Sequence, residues 1–377
     1  MPKFLHSKSM GLGAAAFSGS TMMSKLLRAG AALGIAAAFM ASAGIGVETA
    51  QAAKSTYKMR IAHAYPDHTQ HGRNMTFFKK KVEEYTNGRL SVTIYPNSQL
   101  GPITQELSMV LAGTVDASYN IGGIVEGIDP AEAIWNIPFL LKVAPGQGEH
   151  MRRIMYDKTV TEILAKRQAA KGLKRLGHVP TLTGFMLVGN NVRPVAKLDD
   201  MKGLRIRHPG GLMGELYIGS LGASPMRVAG AEVPVALQQG VVDGLVTTPV
   251  HYHDARWHTK YMTLPFYAGY GVPFVASMRW WKTLPADIQS IIETKVMPET
   301  MKYAYDAVLN LENRYIKEMQ QPPYNVKISW VSPKEMERFA AKVRGKAIER
   351  FIKVVGPDGK RLVDQVKKLG EGITIKR

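Results

Sequence analysis

The sequence predicts an α/β fold laid down twice in succession. Short apolar strands alternate with amphipathic helices, the alternation that begins at Tyr57 starts again after Gly184, and the chain past Pro285 turns helical. Strands alternating with helices of about ten to eighteen residues make βαβ units around a largely parallel sheet. A chain of 377 residues has room for two such domains and a leader.

The elements follow in order. Tyr57 to Ala62 is a short strand broken by His63-Ala64-Tyr65-Pro66-Asp67. Met75, Phe78, Val82 and Tyr85 recur at spacings of three and four, one face of a helix, which Asn87-Gly88 stops because glycine tolerates the left-handed cap. Leu90, Val92 and Ile94 alternate with Ser91, Thr93 and Tyr95 as a half-buried strand; Leu107, Val110 and Leu111 mark a helix ended by Gly113; a strand runs from Val115 to Asn120. In the second half, Met186 to Val192, Leu204 to His208 and Gly244 to Thr248 read as strands, with helices at Leu212 to Leu221 and Glu232 to Gln239. Helical spacing continues through Ile288, Ile291, Met301, Tyr305 and Val308, breaks at Pro322-Pro323, and resumes from Lys334 to Val354.

Composition narrows the function classes. Hydrophobic residues at 45% and charged residues at 21% exclude a disordered or membrane-embedded chain. The lack of cysteine rules out disulfides, thiolate metal sites and thiol catalysis. Residues 1–52 read as a secretory leader: Lys25 and Arg28 precede an uncharged Ala-rich run from Ala29 to Gly46, which ends in small residues at Ala50-Gln51-Ala52. An uncleaved membrane anchor is the alternative, although a run of mainly Ala and Gly is weakly hydrophobic for that task. Removing Lys3, Lys8, Lys25, Arg28 and Glu48 from the formal charge of +19 leaves +16. Such a field favours anionic partners. The densest basic runs, Lys79-Lys80-Lys81 and Lys367-Lys368, have no interleaved aromatics, so no nucleic-acid partner is expected.

Ligands of open α/β sheets collect at the carboxyl ends of strands. The candidates there are His63 and Tyr65, Asn120 and Gly122, Arg207 and His208, and Thr247 and Thr248. No nucleophile elbow, phosphate-binding glycine loop or dinucleotide fingerprint stands at a strand–helix junction, so neither catalysis nor a cofactor is expected. A periplasmic α/β enzyme acting on an organic anion is the alternative.

The stretch Gly203-Leu204-Arg205-Ile206-Arg207-His208-Pro209, continued by Leu221-Gly222-Ala223-Ser224-Pro225, Glu232-Val233 and Ala236-Leu237-Gln238-Gln239-Gly240-Val241-Val242-Asp243-Gly244, resembles the extracytoplasmic solute receptors of tripartite ATP-independent periplasmic (TRAP) transporters, of the C4-dicarboxylate-binding type. Tyr95-Pro96-Asn97-Ser98-Gln99-Leu100-Gly101, Asn136-Ile137-Pro138-Phe139-Leu140 and Trp281-Lys282-Thr283-Leu284-Pro285 extend the likeness over roughly Tyr57 to Glu318. The resemblance implies a two-lobed periplasmic binding protein of the Venus-flytrap kind, with mainly parallel sheets and a long lobe-spanning C-terminal helix. Lobe I would comprise residues 57–182 plus 272–312 and lobe II residues 183–271 plus 313–377. It further implies a small organic anion as ligand, delivery to the small and large membrane subunits of a permease, and Arg207 as the residue that grips the carboxylate; it leaves the oligomeric state open. A guanidinium suits that role because its two parallel N–H groups match both carboxylate oxygens.

The sequence departs from the family pattern at three points. Met186 stands where many relatives have a second arginine, Gly230 where an aromatic is frequent, and Thr247 or Thr248 where an asparagine is common. These departures predict a roomier, less polar pocket for a monocarboxylate with an apolar or aromatic body. Tyr65, Tyr119, Trp135 and Phe185 are candidates to line it, and each equally suits a core. His63, His68 and His71, and His251, His253 and His258, are two groups whose imidazoles can ligate a metal; the alternative, adopted here, is that His63 meets the ligand and the rest lie on loops and helix faces.

Overall fold

The computed structural model describes residues 57–142, 148–182, 185–268 and 272–374. The leader read at residues 1–52 lies outside them, as does the side chain of Phe185. Strands β1 (Tyr57–Ala62), β2 (Leu90–Tyr95), β3 (Ala117–Tyr119) and β4 (Leu173–His178) open one sheet. Strands β5 (Phe185–Asn190), β6 (Arg205–His208), β7 (Ser224–Arg227), β8 (Gly244–Thr247) and β9 (Tyr261–Ala268) build another. The chain then returns to the first sheet with β10 (Pro273–Ser277) and adds β11 (Lys327–Trp330) to the second. The orders are β2-β1-β3-β10-β4 and β11-β9-β5-β8-β6-β7.

Both sheets are mixed. β10 runs antiparallel to β3 and β4, and β5 antiparallel to β8 and β9, while the other pairings are parallel. The two exceptions are the strands that the chain enters by a short loop directly from the other sheet, whereas β11, reached from β10 through helices, runs parallel to β9. Parallel strands end on a common edge, so a chain that crosses over at that edge has to run back from it. The two short crossings therefore put antiparallel strands into sheets that βαβ counting alone makes largely parallel.

Local chemistry explains where the elements start and stop. Thr69 caps the helix Gln70–Tyr85, its hydroxyl accepting the Gly72 amide at 3.2 Å. Asn87 and Gly88 follow it with φ of 49° and 73°, the left-handed turn that their residue types favour. β9 holds Pro265, which has no amide to donate; its register with β5 breaks between Met186 and Val188, where the proline is accommodated. β7 and β11 are largely exposed four-residue strands with no apolar alternation.

One helix packs at its two ends into different core clusters. Met297, Met301 and Ala304, at the start of helix Met297–Met319, pack in the core under β1, β3 and β10, with Met59, Phe78 and Phe274. Tyr315, Ile316 and Met319 at its other end pack with Leu187, Leu245 and Trp257 against the second sheet. No helix among the described residues is long and apolar enough to cross a membrane.

One buried ion pair braces the first half. Arg175 on β4 donates through Nη1 to both Glu132 carboxylate oxygens, at 3.1 and 2.8 Å, and Gln168 donates to the same carboxylate at 2.8 Å. Burial pushes the Glu132 carboxyl up, against the attraction of Arg175. Removing one partner of such a pair strands the other charge at a cost of about 3–5 kcal/mol. We expect Arg175→Met to lose stability of that order in urea unfolding; an unchanged midpoint would show that the pair contributes nothing.

Candidate functional site

β6, paired on one side with β7 and on the other with β8, carries the candidate site to its carboxyl end. Strand alternation sends Ile206 to one face, into the core, and Arg207 to the other. Arg207 is only 4% exposed. Its Nε donates to the Val228 carbonyl at 2.8 Å, and its Cζ lies 5.2 Å from the centroid of the Trp257 ring. A guanidinium over an indole face gains a cation–π attraction that strengthens as water is excluded.

Trp257 reaches this position from the turn after the helix Pro249–Asp254, where Arg256 adopts a φ of 54° and the Trp257 amide donates to the Tyr252 carbonyl at 3.1 Å. A Cβ added to Gly230 would meet Trp257 Cζ2 at 3.7 Å and Cη2 at 3.8 Å, ordinary van der Waals contact. The indole thus occupies the space beside Gly230.

A chain of rings leads away from Arg207. His251 meets Trp257 edge-on, with centroids 4.8 Å apart, and meets His71 edge-on at 5.2 Å. His71 stacks on Tyr65 at 3.8 Å, and Tyr65 lies 5.8 Å from Tyr119 and 6.1 Å from His63. His63, Tyr65 and His71 come from the segment after β1 and the helix that follows, whereas Arg207, His251 and Trp257 come from the second sheet and its connections. The cluster therefore forms between the two halves. A polar contact beside it joins the same elements: Asp254 accepts the Gln70 amide at 2.7 Å, satisfying a donor at the start of helix Gln70–Tyr85.

The histidines of this cluster are held neutral. Burial lowers His63 to about 4, and burial together with the nearby Arg207 charge lowers His251 to about 4. His71 is driven well below the usual imidazole range by burial first and then by His251 and His63. His63 Nδ1 accepts the Tyr65 amide at 3.2 Å, which leaves the proton on Nε2. Among the described residues no three of His, Cys, Asp and Glu stand together as a cation site.

The other sequence-derived candidates are distributed differently. Asn120 is fully buried, donating to the Ile103 carbonyl and to Glu106, both at 3.1 Å. The Thr248 hydroxyl caps helix Pro249–Asp254 by accepting the His251 amide at 3.1 Å, which fixes where His251 falls. Thr247 is buried in β8 opposite Leu187. Met186, on β5, lines a separate hollow with Gly123, Glu126, Asn136 and His208, where Asn136 donates to the Glu126 carboxylate at 2.6 Å. Gly211 shapes that hollow: its φ is 91° and an added Cβ would come within 3.0 Å of a Glu126 oxygen. Trp135 stacks on His178 at 4.0 Å inside the core, 1% exposed. Sequence reading missed Trp257 altogether and left His71 and His251 on helix faces. Nothing in their spacing signals a meeting between residues so far apart in the chain.

The neutral imidazoles make stability depend on pH. The unfolded chain takes up a proton at His63 and His251 near 6.5, while the folded chain resists until about 4. Their contribution is complete above the unfolded value and is lost as pH falls from 6.5 towards 4, on the order of 3 kcal/mol for a group so displaced. Glu106 acts in the opposite sense, since burial raises it to about 7. The measurement is therefore a difference: the loss of unfolding free energy between pH 7 and pH 5 should be smaller in His63→Gln than in the unaltered chain, and equal losses would contradict the assignment.

Comparison with known proteins gives this geometry a context. The family model for bacterial extracellular solute-binding proteins, family 7, matches residues 61–353. The C4-dicarboxylate-binding periplasmic protein DctP of Rhodobacter capsulatus is 29% identical over 252 residues, 65% of this chain and 72% of that one. A monocarboxylate 2-oxoacid-binding periplasmic protein of Nostoc is 26% identical over 237 residues, 61% of this chain and 63% of its own. Among solved structures, a TRAP periplasmic solute-binding protein of Sulfurospirillum deleyianum with bound succinate superposes with a TM-score of 0.74 at 23% identity, over 84% of this chain and 99% of that one. One from Desulfovibrio salexigens with bound orotic acid gives 0.76 at 22% identity, over 83% and 98%. The two-lobed α/β fold is thus shared with these receptors, and the chain belongs to family 7 of the bacterial extracellular solute-binding proteins.

Proposed function

We propose that this protein, a solute receptor and not an enzyme, binds a small organic acid at Arg207 in the crevice between its halves and hands it to TRAP membrane subunits. The observation that carries the reading is a guanidinium buried at the carboxyl end of a strand, backed by an indole face and flanked by uncharged imidazoles. Arg207 is the buried guanidinium at this cluster, the half-exposed Arg73 beside it being paired with Asp254, which suits one carboxylate better than two. The favoured ligand is therefore a monocarboxylate with an apolar or aromatic body, its ring or chain against Trp257 and Tyr65. The relatives support an acid as ligand, since one is named for C4-dicarboxylates and another for 2-oxo monocarboxylates.

Residues 1–52 serve in this reading as a cleaved signal peptide that takes the protein to the periplasm. Residues 57–182 with 272–312 form lobe I, and residues 183–271 with 313–377 form lobe II. Ligand favours the closed arrangement because its carboxylate meets Arg207 from lobe II while its body meets Tyr65 and His63 from lobe I. A ligand shifts such an equilibrium only by as much as it prefers one state. The closed surface is what the small and large permease subunits recognise.

The test is isothermal titration of the mature chain with benzoate, phenylacetate, hexanoate, pyruvate and succinate, repeated with Arg207→Gln. Hydrogen bonds to charged groups contribute about 1.5–3 kcal/mol each. Loss of a two-pronged contact should therefore weaken the best acid by at least ~100-fold. Undiminished binding in Arg207→Gln, or no binding of any acid to the unaltered chain, overturns the proposal.

A further inference from the structure

We propose that His63, His71 and His251 form an uncharged hydrogen-bonding subsite for a hydroxyl or carbonyl oxygen on the body of the ligand, so that the substrate class is an oxygenated monocarboxylate and not a plain hydrocarbon acid. This inference rests on the carboxylate being held by Arg207. Three observations carry it.

The first is satisfaction. His63 Nε2, His71 Nδ1 and His251 Nδ1 are buried and have no hydrogen-bonding partner among the described residues. His63 and His71 are 0% and 2% exposed. A buried polar nitrogen without a partner costs roughly 1–3 kcal/mol, and one such group invites explanation. Three in a single cluster do so more strongly.

The second is position. The rings run continuously from the arginine: Arg207 to Trp257, Trp257 to His251, and His251 to His71 at 5.2 Å. Tyr65 stacks on His71 and lies 6.1 Å from His63. An acid whose carboxylate lies on the guanidinium and whose body lies along the indole has its far end at these imidazoles. Two of the three come from the first half of the chain and one from the second, so an oxygen bonded to them would tie the halves together.

The third is chemistry. His63 presents an N–H donor, because its other nitrogen already accepts the Tyr65 amide. Neutral imidazoles donate and accept without charge, and burial keeps all three in that form. A hydroxyl or carbonyl is matched there, whereas a second carboxylate would lose its hydration without meeting a counter-charge. Sites built to bond a substrate oxygen discriminate strongly against the analogue that lacks it.

The experiment compares matched pairs on the mature chain: benzoate with 3- and 4-hydroxybenzoate, phenylacetate with 4-hydroxyphenylacetate, and hexanoate with 6-hydroxyhexanoate. The expected result is that at least one oxygenated member binds 10-fold or more tightly than its parent, and that His71→Phe and His251→Phe each reduce that ratio to within about 2-fold. Phenylalanine preserves a ring for packing. Should either variant fold poorly, imidazole nitrogen-15 shifts in the unaltered protein are the second measurement; they should move at His71 and His251 with the hydroxy acid and stay in place with its parent. Ratios near one in every pair, ratios untouched by both variants, or unmoved imidazole shifts overturn the subsite while leaving the Arg207 reading intact. If instead no acid binds, or Arg207→Gln binds as well as the unaltered chain, the carboxylate reading fails and this inference fails with it.

Discussion

Taking a guanidinium out of water costs several kcal/mol, and a protein that buries one has to supply partners in good geometry. Arg207 is buried at the end of β6, and much of the surrounding architecture serves that constraint. Val228 offers a carbonyl to Nε, Trp257 offers its ring face, and the parallel pairing of β6 with β7 and β8 fixes the strand from which the side chain projects. The imidazoles nearby are uncharged, so they add no like charge to the arginine. The guanidinium buried here is a planar group whose shape matches a carboxylate.

The same constraint accounts for Trp257. The indole reaches its place over the arginine from the turn after helix Pro249–Asp254, and lies beside Gly230. Thr248 caps that helix and so sets the phase of His251, while Asp254 at its end accepts the Gln70 amide of the opposing half. One six-residue helix thus orients an aromatic wall, an imidazole and a contact across the crevice. Compact elements that position several groups at once are what a pre-organised site requires, because each locked side chain reduces the ordering left to the ligand.

Much of the fold was legible. The helix from Gln70, its glycine stop, the alternating strand at Leu90 and the two successive α/β halves follow from periodicity and turn chemistry. The antiparallel β5 and β10 were not, because their direction is decided by a short direct crossing from the other sheet and not by their own residues. β9 was hidden by Pro265, and β7 and β11 by a lack of alternation. Of the site, Arg207 stood out because it lies in a recognisable stretch at a strand end. Trp257, His71 and His251 did not: they meet only in three dimensions, and a residue's neighbours across a crevice leave no periodic trace in its own segment. Glycine at 230 shows in its own segment nothing of the Trp257 ring that lies beside it.

The most direct measurement is a crystal structure of the mature protein grown with the tightest-binding acid. The account requires both carboxylate oxygens within about 3 Å of the Arg207 guanidinium, and the body of the ligand against the Trp257 ring. A ligand seated instead in the hollow beside Met186 and Glu126, with Arg207 making no contact to it, would contradict the central claim.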